Sequence, residues 1–124
     1  MTLQLQTKRS ITDGLTTVDD LVTYTVQTVV KLEEAVADAV TDQEHLVAID
    51  VSALKAVIMN SDVVMTVETN SGSAPQETFV IPAGGSVLWR EGETAVFAGD
   101  VTAIYLTNAS GSAGTFRMVF GTDV

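Results

Sequence analysis

The sequence contains no cysteine, two prolines and a single histidine in 124 residues. Without cysteine there is no disulfide framework, no thiolate nucleophile and no cysteine-based metal site. Cations are also few: six Lys and Arg stand against 16 Asp and Glu, which gives a formal charge of −10 and a pI near 4.1. Because an acidic surface repels phosphate groups, we expect no binding to nucleic acid and none to anionic membranes.

Long apolar runs are missing as well. No stretch approaches the roughly 18 apolar residues that a membrane-spanning helix needs. The first ten residues, MTLQLQTKRS, lack the apolar core of a signal peptide. Even so, 46% of the residues are hydrophobic and the mean hydropathy is +0.30. Such an apolar surplus on a small domain is typical of proteins that contact another chain, so we expect an assembly.

The apolar residues that are present alternate with polar ones, with a period of two. The pattern is clear in four stretches: LQLQTKR at 3–9, LVTYTVQTVVKL at 21–32, VVMTVET at 63–69 and TFRMVF at 115–120. Alternation of this kind predicts antiparallel strands with one face on a core and one facing solvent or a partner.

Turn sequences rich in Gly, Asn, Asp and Ser separate these stretches and leave room for about eight or nine short strands. This spacing predicts an all-β fold, a single antiparallel β-sandwich over residues 1–124, either a jelly roll or immunoglobulin-like. Residues 1–10 are interpreted as an extended N-terminal arm or an edge strand. KLEEAVADAV at 31–40 has a helical stripe but no N-cap, so we expect a single helical turn or an acidic loop there.

Two loops repeat one phrase, TNSGSA at 69–74 and TNASGSA at 107–113. Asn and Gly tolerate a positive φ and Ser can bond to the neighbouring backbone, so both phrases suit hairpin turns at one end of a sandwich. An alternative is that these loops, around Asn70 and Asn108, form a rim that contacts a partner. Neither phrase has the Gly-Lys-Ser/Thr ending of a phosphate-binding loop.

No catalytic or metal-binding motif is evident. His45 is the only histidine and has no Gly-x-Ser-x-Gly turn to work with, and a zinc site with one His and no Cys would be unusual. The carboxylates follow no calcium-loop pattern, although sandwich loops can bring such groups together. We therefore expect no enzyme activity, no cofactor and no metal. Trp89 is expected in the core, while exposure of Trp89 or Tyr105 would instead indicate a carbohydrate-binding module.

Four phrases carry a resemblance to a known family. RSITDGLTTVDD at 9–20, VETNSGSAPQETFVI at 67–81, VLWREG at 87–92 and DVTAIYLTNASGSAGTFRMVF at 100–120 resemble small β-sandwich virion proteins of tailed bacteriophages. These proteins decorate or cement the capsid. The resemblance rests on turn and strand phrases over most of the chain, with no catalytic signature, so it implies no catalytic residues.

The resemblance implies a capsid decoration (cement) protein that binds and stabilises the shell of the major capsid protein. It would be made in the host cytoplasm and located on the capsid surface of the virion, with self-association as a trimer or dimer. A phage tail or head-fibre subunit and a carbohydrate-binding module remain the alternatives. The residues that we expect at interfaces lie in the N-terminal segment and the two repeated loops: Leu3, Leu5, Lys8, Arg9, Asn70 and Asn108.

Overall fold

The computed structural model describes residues 3–123, and every regular element in that range is a β-strand. There are ten strands, β1 (Leu3–Thr12), β2 (Thr17–Val26), β3 (Thr28–Val36), β4 (Gln43–Ile49), β5 (Leu54–Ser61), β6 (Met65–Thr69), β7 (Thr78–Ile81), β8 (Ser86–Arg90), β9 (Val101–Thr107) and β10 (Gly114–Thr122). The all-β, antiparallel prediction is therefore confirmed, with one or two strands more than the sequence suggested.

Eight of the strands form two four-stranded antiparallel sheets. The first, called sheet I below, has the order β3-β10-β5-β8, and the second, sheet II, has the order β4-β9-β6-β7. Strands pair from the outside of the sequence inward: β3 with β10, β4 with β9, β5 with β8 and β6 with β7. A chain doubled on itself in this way and wrapped into two sheets is a jelly roll, so the jelly-roll alternative fits and the immunoglobulin-like one does not.

The core lies between the two sheets and is built from the inward-facing positions of both. Phe116, Met118 and Phe120 of β10 are at most 1% exposed, and the alternating positions between them face outward. Sheet II contributes the matching layer through β6 and β9. The largest side chains buried in this core are Phe116, Phe120, Ile49, Met59, Met65, Ile81, Ile104, Leu106 and Met118.

The expectation of a helical turn or acidic loop at 31–40 is wrong for residues 31–36, which belong to strand β3. β3 pairs with β10 along its full length, which satisfies the backbone groups on that side, and the register sets Leu32 opposite Met118 and Val36 opposite Gly114. The period-two burial of an edge strand thus overrides the helical propensity of Ala and Glu. Only the following residues turn, with positive φ angles at Ala39 and Asp42.

Strands β1 and β2 form a separate two-stranded sheet, called the N-terminal hairpin below, which pairs with neither sheet of the sandwich. Their register runs from Leu3 opposite Val26 to Thr12 opposite Thr17. The turn is closed by Asp13, whose Oδ1 accepts hydrogen bonds from the backbone N–H groups of Leu15 (2.9 Å) and Thr16 (2.7 Å). The described part of the predicted N-terminal arm, residues 3–10, is therefore paired within its own chain and is not an edge strand of the sandwich. Residues 1–2 lie outside the described residues.

Candidate functional site

The N-terminal hairpin crosses the outer face of sheet I. Cross-strand partners share a face, so Leu5 and Thr7 of β1 lie on the same side as Tyr24 and Val22 of β2. This inner face is partly or fully buried, whereas the alternating residues from Gln4 to Thr25 are exposed. The alternation in the sequence therefore corresponds to a buried and an exposed face of the hairpin. The buried face packs on the outer face of sheet I, not in the core between the two sheets.

Gly121 of β10 marks the closest approach between the hairpin and sheet I. A Cβ atom at this position would lie 2.8 Å from Leu5 Cδ2 and 3.1 Å from Val26 Cγ1. Farther along, a half-open apolar groove of about 260 Å³ remains between β1 and the sheet, lined in part by Ala56 and Val119. Because the packing is tight at one end only, polar contacts must fix the rest of the hairpin.

Arg90, the last residue of β8, provides the main polar contact. Its side chain is buried beneath the hairpin, and its Nε donates to the Thr7 hydroxyl at 2.5 Å. Nη1 forms an ion pair with the Asp20 carboxylate, and Nη2 donates to the Asp20 backbone oxygen at 3.0 Å. One guanidinium therefore binds both strands of the hairpin, with the rigid fork geometry that arginine supplies.

A second arginine fastens the hairpin at the edge of sheet I. Arg9 donates to both carboxylate oxygens of Glu93, at 2.6 and 3.1 Å, and to the backbone oxygen of Leu88 at 3.0 Å. Glu93 also accepts a hydrogen bond from the backbone N–H of Arg90. The Arg9 guanidinium, aided by that N–H group, lowers the pKa of Glu93 to about 2. Because Arg9 hydrogen-bonds to a backbone oxygen of the edge strand β8, it also hinders the pairing of another strand with that edge.

Beyond Arg9 the hairpin projects past the β8 edge. At about 3.3 Å per residue, the four residues from Arg9 to Asp13 extend the turn roughly 13 Å past this contact. Residues 10–19, called the hairpin tip below, are all exposed, and no hydrogen bond among the described residues joins them to the sandwich. The tip nevertheless carries large apolar side chains: Ile11 is 79% exposed, Leu15 96% and Val18 67%.

The apolar side chains of the tip continue the hairpin's inner face. Ile11 and Val18 are cross-strand partners, and they lie on the same face as Thr7 and Leu5, which are four and six residues farther back along β1. The face that packs on sheet I near the base of the hairpin thus extends, uncovered, beyond the sheet. A projecting apolar surface of this kind is typical of a site that contacts another molecule.

The structure divides the predicted interface residues into two groups. Leu3 and Leu5 are half-buried on the hairpin's inner face, Arg9 is bound to Glu93, and Lys8 is exposed beside them. Lys8 and Arg9 lie next to the tip, whereas Leu3 and Leu5 lie at the base of the hairpin. None of the four belongs to the tip, which was not predicted as an interface although Ile11 and Leu15 stand on either side of the TDG turn.

Asn70 and Asn108 organise their own loops. The Asn108 side chain is fully buried, and its Nδ2 donates to the backbone oxygens of Val36 (3.1 Å) and Ser112 (2.8 Å). Asn70 adopts a φ of 66° and its Oδ1 accepts from the Thr102 backbone N–H at 2.8 Å. Both phrases form turns, and the Asn70 loop joins the hairpin partners β6 and β7 as predicted. The prediction of two hairpin turns at one end is wrong for the Asn108 loop, which crosses from β9 of sheet II to β10 of sheet I. Because β6 and β9 are antiparallel, the two loops also leave this strand pair at opposite ends. A partner contact through either loop stays a prediction, and for Asn108 it could not use the side chain.

The remaining candidates hold positions in or against the sandwich. Trp89 packs against the core, as predicted, and its buried Nε1 has no hydrogen-bond partner among the described residues. Tyr105 is half-buried, with its hydroxyl donating to Glu44 at 2.5 Å. His45 belongs to β4, and its Nδ1 lies 3.6 Å from the carboxylate of Glu34 on β3. Neither aromatic ring is presented as an open platform on which a sugar could stack.

Residues 3–123 provide neither a metal cluster nor a membrane-spanning helix. No group of three or more His, Asp or Glu side chains in this range is arranged to hold a metal ion. The same range includes no helix long and apolar enough to span a bilayer.

Comparison with known proteins does not identify a family for this chain. No family model matches the chain, and no curated protein matches it significantly. One solved structure, described as "Bacillus endospore appendages form a novel family of disulfide-linked pili", aligns over 78% of this chain and 89% of its own, with 18% identity and a TM-score of 0.38. These comparisons do not support the phage identity that the sequence resemblance implies. A similarity this weak carries no functional argument.

Proposed function

We propose that this protein is a non-catalytic structural subunit that binds another protein chain through its N-terminal hairpin. The observation that carries the proposal is the set of exposed apolar side chains on the tip: Ile11, Leu15 and Val18. Full burial of one such side chain contributes roughly 1.5–3 kcal/mol, so contact with a partner would be strongly favoured.

The way the hairpin is fastened also supports this function. Arg90 and Arg9 hold the base of the hairpin at five points, through Thr7, Asp20, Glu93 and the edge of β8. A binding element held in one orientation loses less conformational entropy on association than a free arm does. The tip is thus presented by a rigid scaffold, an arrangement that suits an assembly protein.

Within this class, the resemblance of the sequence to tailed-phage virion proteins supports a specific proposal, a capsid decoration protein that binds the major capsid protein. Location on the capsid surface follows from that proposal. A tail or fibre subunit is the alternative that uses the same hairpin. The carbohydrate-binding module is less favoured because Trp89 packs against the core.

The experiment uses the absence of cysteine. Leu15→Cys creates a single thiol at the most exposed position of the tip, where an environment-sensitive dye can be attached. The labelled chain is mixed with unlabelled protein at increasing concentration and, separately, with capsid shells assembled from the major capsid protein of a source phage. A dye at Val64→Cys, another exposed apolar position, is the control.

The proposal predicts a blue shift for the tip dye with at least one of the two partners and a much smaller shift for the Val64→Cys dye. A tip dye that stays in water with both partners contradicts the proposed function. A shift with shells supports the decoration role, and a shift with shells alone separates that role from self-association.

A further inference from the structure

Six of the eight large apolar side chains exposed in the described range are gathered in two places. Eight such residues occur in the described range, Ile11, Leu15, Val18, Leu21, Val30, Leu46, Val64 and Val80. Four of them belong to the hairpin, and two, Val30 and Leu46, lie on neighbouring edge strands of the two sheets. Clustering into two patches is unlike the single scattered apolar residues of an ordinary surface.

The second patch is an apolar groove along the open side of the sandwich, called the edge groove below. It occupies about 400 Å³ and is lined by Val30, Leu32, Leu46, Val47, Ala48 and Phe120. Val30 and Leu32 face inward from β3, opposite Phe120 and Met118 in the register, yet Val30 remains partly exposed because no strand lies beyond it. The edge groove is therefore a place where the core reaches the surface.

The two patches lie at opposite edges of the molecule. The hairpin projects past β8, and the edge groove lies beside β3, with two strands between them in sheet I. At about 4.8 Å per strand, β3 and β8 are roughly 14 Å apart, and the tip points away from the groove. The tip of one molecule therefore cannot enter its own groove, so the two patches can meet only between molecules.

The β3 edge carries an exposed cation, whereas the tip carries Asp13 and Asp19 and no cation. Lys31 lies between the groove-lining Val30 and Leu32, with its side chain on the outer face of sheet I and without an ion-pair partner among residues 3–123. On the groove side of β3, the carboxylate of Glu34 lies 3.6 Å from His45 Nδ1. In a chain with a net charge of −10, an unpaired cation at this edge reduces the repulsion that a second acidic molecule would meet.

We propose that the hairpin tip of one molecule docks in the edge groove of a second copy, so that molecules associate head to tail. This inference rests on the proposed function and names the partner as the protein itself. The contact joins two different surfaces at opposite edges of the molecule, so an associated pair keeps one free tip and one free groove. Such a contact forms rings or open filaments rather than closed two-fold dimers.

The test uses three matched double variants in the full chain. Ile11→Thr with Val18→Thr removes the tip's apolar pair, and Val30→Thr with Leu46→Thr removes the exposed rim of the groove. Val64→Thr with Val80→Thr is the control, since it also replaces two exposed apolar residues but touches neither patch. Thr keeps the β propensity of these positions, and a urea denaturation curve for each variant shows that it is folded.

Solution mass by light scattering then decides the question. Wild type and the control are expected to grow in mass with concentration, whereas the tip and groove variants associate on the order of 10- to 100-fold more weakly. A mixture of the tip and groove variants should form a one-to-one dimer and stop there, because each supplies the surface that the other lacks.

Three results would overturn head-to-tail association. The mixture could remain as weakly associated as its two components, which would indicate that tip contacts tip and groove contacts groove. The control could lose association as fully as the other variants do. Finally, wild type could stay monomeric at every concentration. If the tip dye still responds to capsid shells in that last case, the proposed function stands while this inference fails.

Discussion

At the scale of single residues, Arg90 fixes the position of the hairpin. Its buried guanidinium binds Thr7 of β1 and Asp20 of β2, and hydrogen bonds that involve a charged group contribute about 1.5–3 kcal/mol each when one partner is removed. We expect Arg90→Met to lower the free energy of unfolding by about 2 kcal/mol, a value moderated by the exposure of Asp20. Urea denaturation measures this change, and amide hydrogen exchange in β1 should accelerate.

Arg117→Met is the matched control for Arg90→Met. Arg117 lies on the same sheet, but it is half exposed and forms a single contact with Glu33. An exposed ion pair of this kind contributes at most about 1 kcal/mol, so the control should change stability little and leave exchange in β1 unaltered. Equal effects of the two substitutions would show that Arg90 has no special part in holding the hairpin.

The Arg9–Glu93 contact predicts a pH dependence. Glu93 has its folded-state pKa lowered from 4.5 to about 2, so the contact favours the folded hairpin fully above pH 4.5. This contribution is lost as the pH falls through about 2, when the carboxylate takes up a proton. An NMR titration of the Glu93 carboxyl should have its midpoint near the lower value.

Arg9→Gln provides the comparison for that titration. The substitution removes the main cause of the low pKa but keeps the hydrogen bond from the Arg90 backbone N–H, so the Glu93 midpoint should rise toward, without reaching, its ordinary value. If wild type and Arg9→Gln titrate alike, the guanidinium does not hold Glu93 in solution.

Single residues were the hardest feature to predict from the sequence. Arg90 stands in LWREGE, a phrase that looks like an exposed turn, and its burial depends on a hairpin more than 60 residues away in the chain. Asn108 was expected at an interface, yet its side chain bonds internally to Val36 and Ser112. Both roles arise from long-range packing, which local sequence patterns do not encode.

At the scale of elements, period-two alternation predicted the strands well. It identified the inward face of β10 and the alternating face of β1, because burial on one side of a sheet leaves a direct mark in the sequence. It could not tell which surface that face covers. For β1 that surface is the outer face of sheet I. Past the edge of the sheet the apolar pattern continues at Ile11, whose side chain is exposed and covers nothing in its own molecule.

The hairpin tip should be dispensable for folding. Arg9 and Asp20 are cross-strand partners, so an Asn-Gly turn can join them in place of residues 10–19. Since the tip makes no described hydrogen bond to the sandwich and buries little apolar area, the shortened chain should unfold in urea within about 1 kcal/mol of wild type. A larger loss would mean that the tip supports its own sandwich, which would weaken the case that it serves a partner.

At the scale of the whole molecule, the jelly roll explains why the protein has an open side. Pairing strands from the ends of the sequence inward leaves β3 and β4 as neighbouring edges of the two sheets, with the edge groove between them. The apolar surplus in the composition, a mean hydropathy of +0.30, pointed to assembly before any contact was known. The fold accounts for part of that surplus by placing it on the tip and in the groove.

The most direct test of this account is the solution mass of wild type and of the shortened chain across a dilution series. A wild-type mass that rises above 13.1 kDa with concentration, together with a shortened chain that stays monomeric, is the predicted result. Equal masses for the two chains at every concentration would contradict the central claim that the hairpin tip is the surface through which this protein assembles with itself.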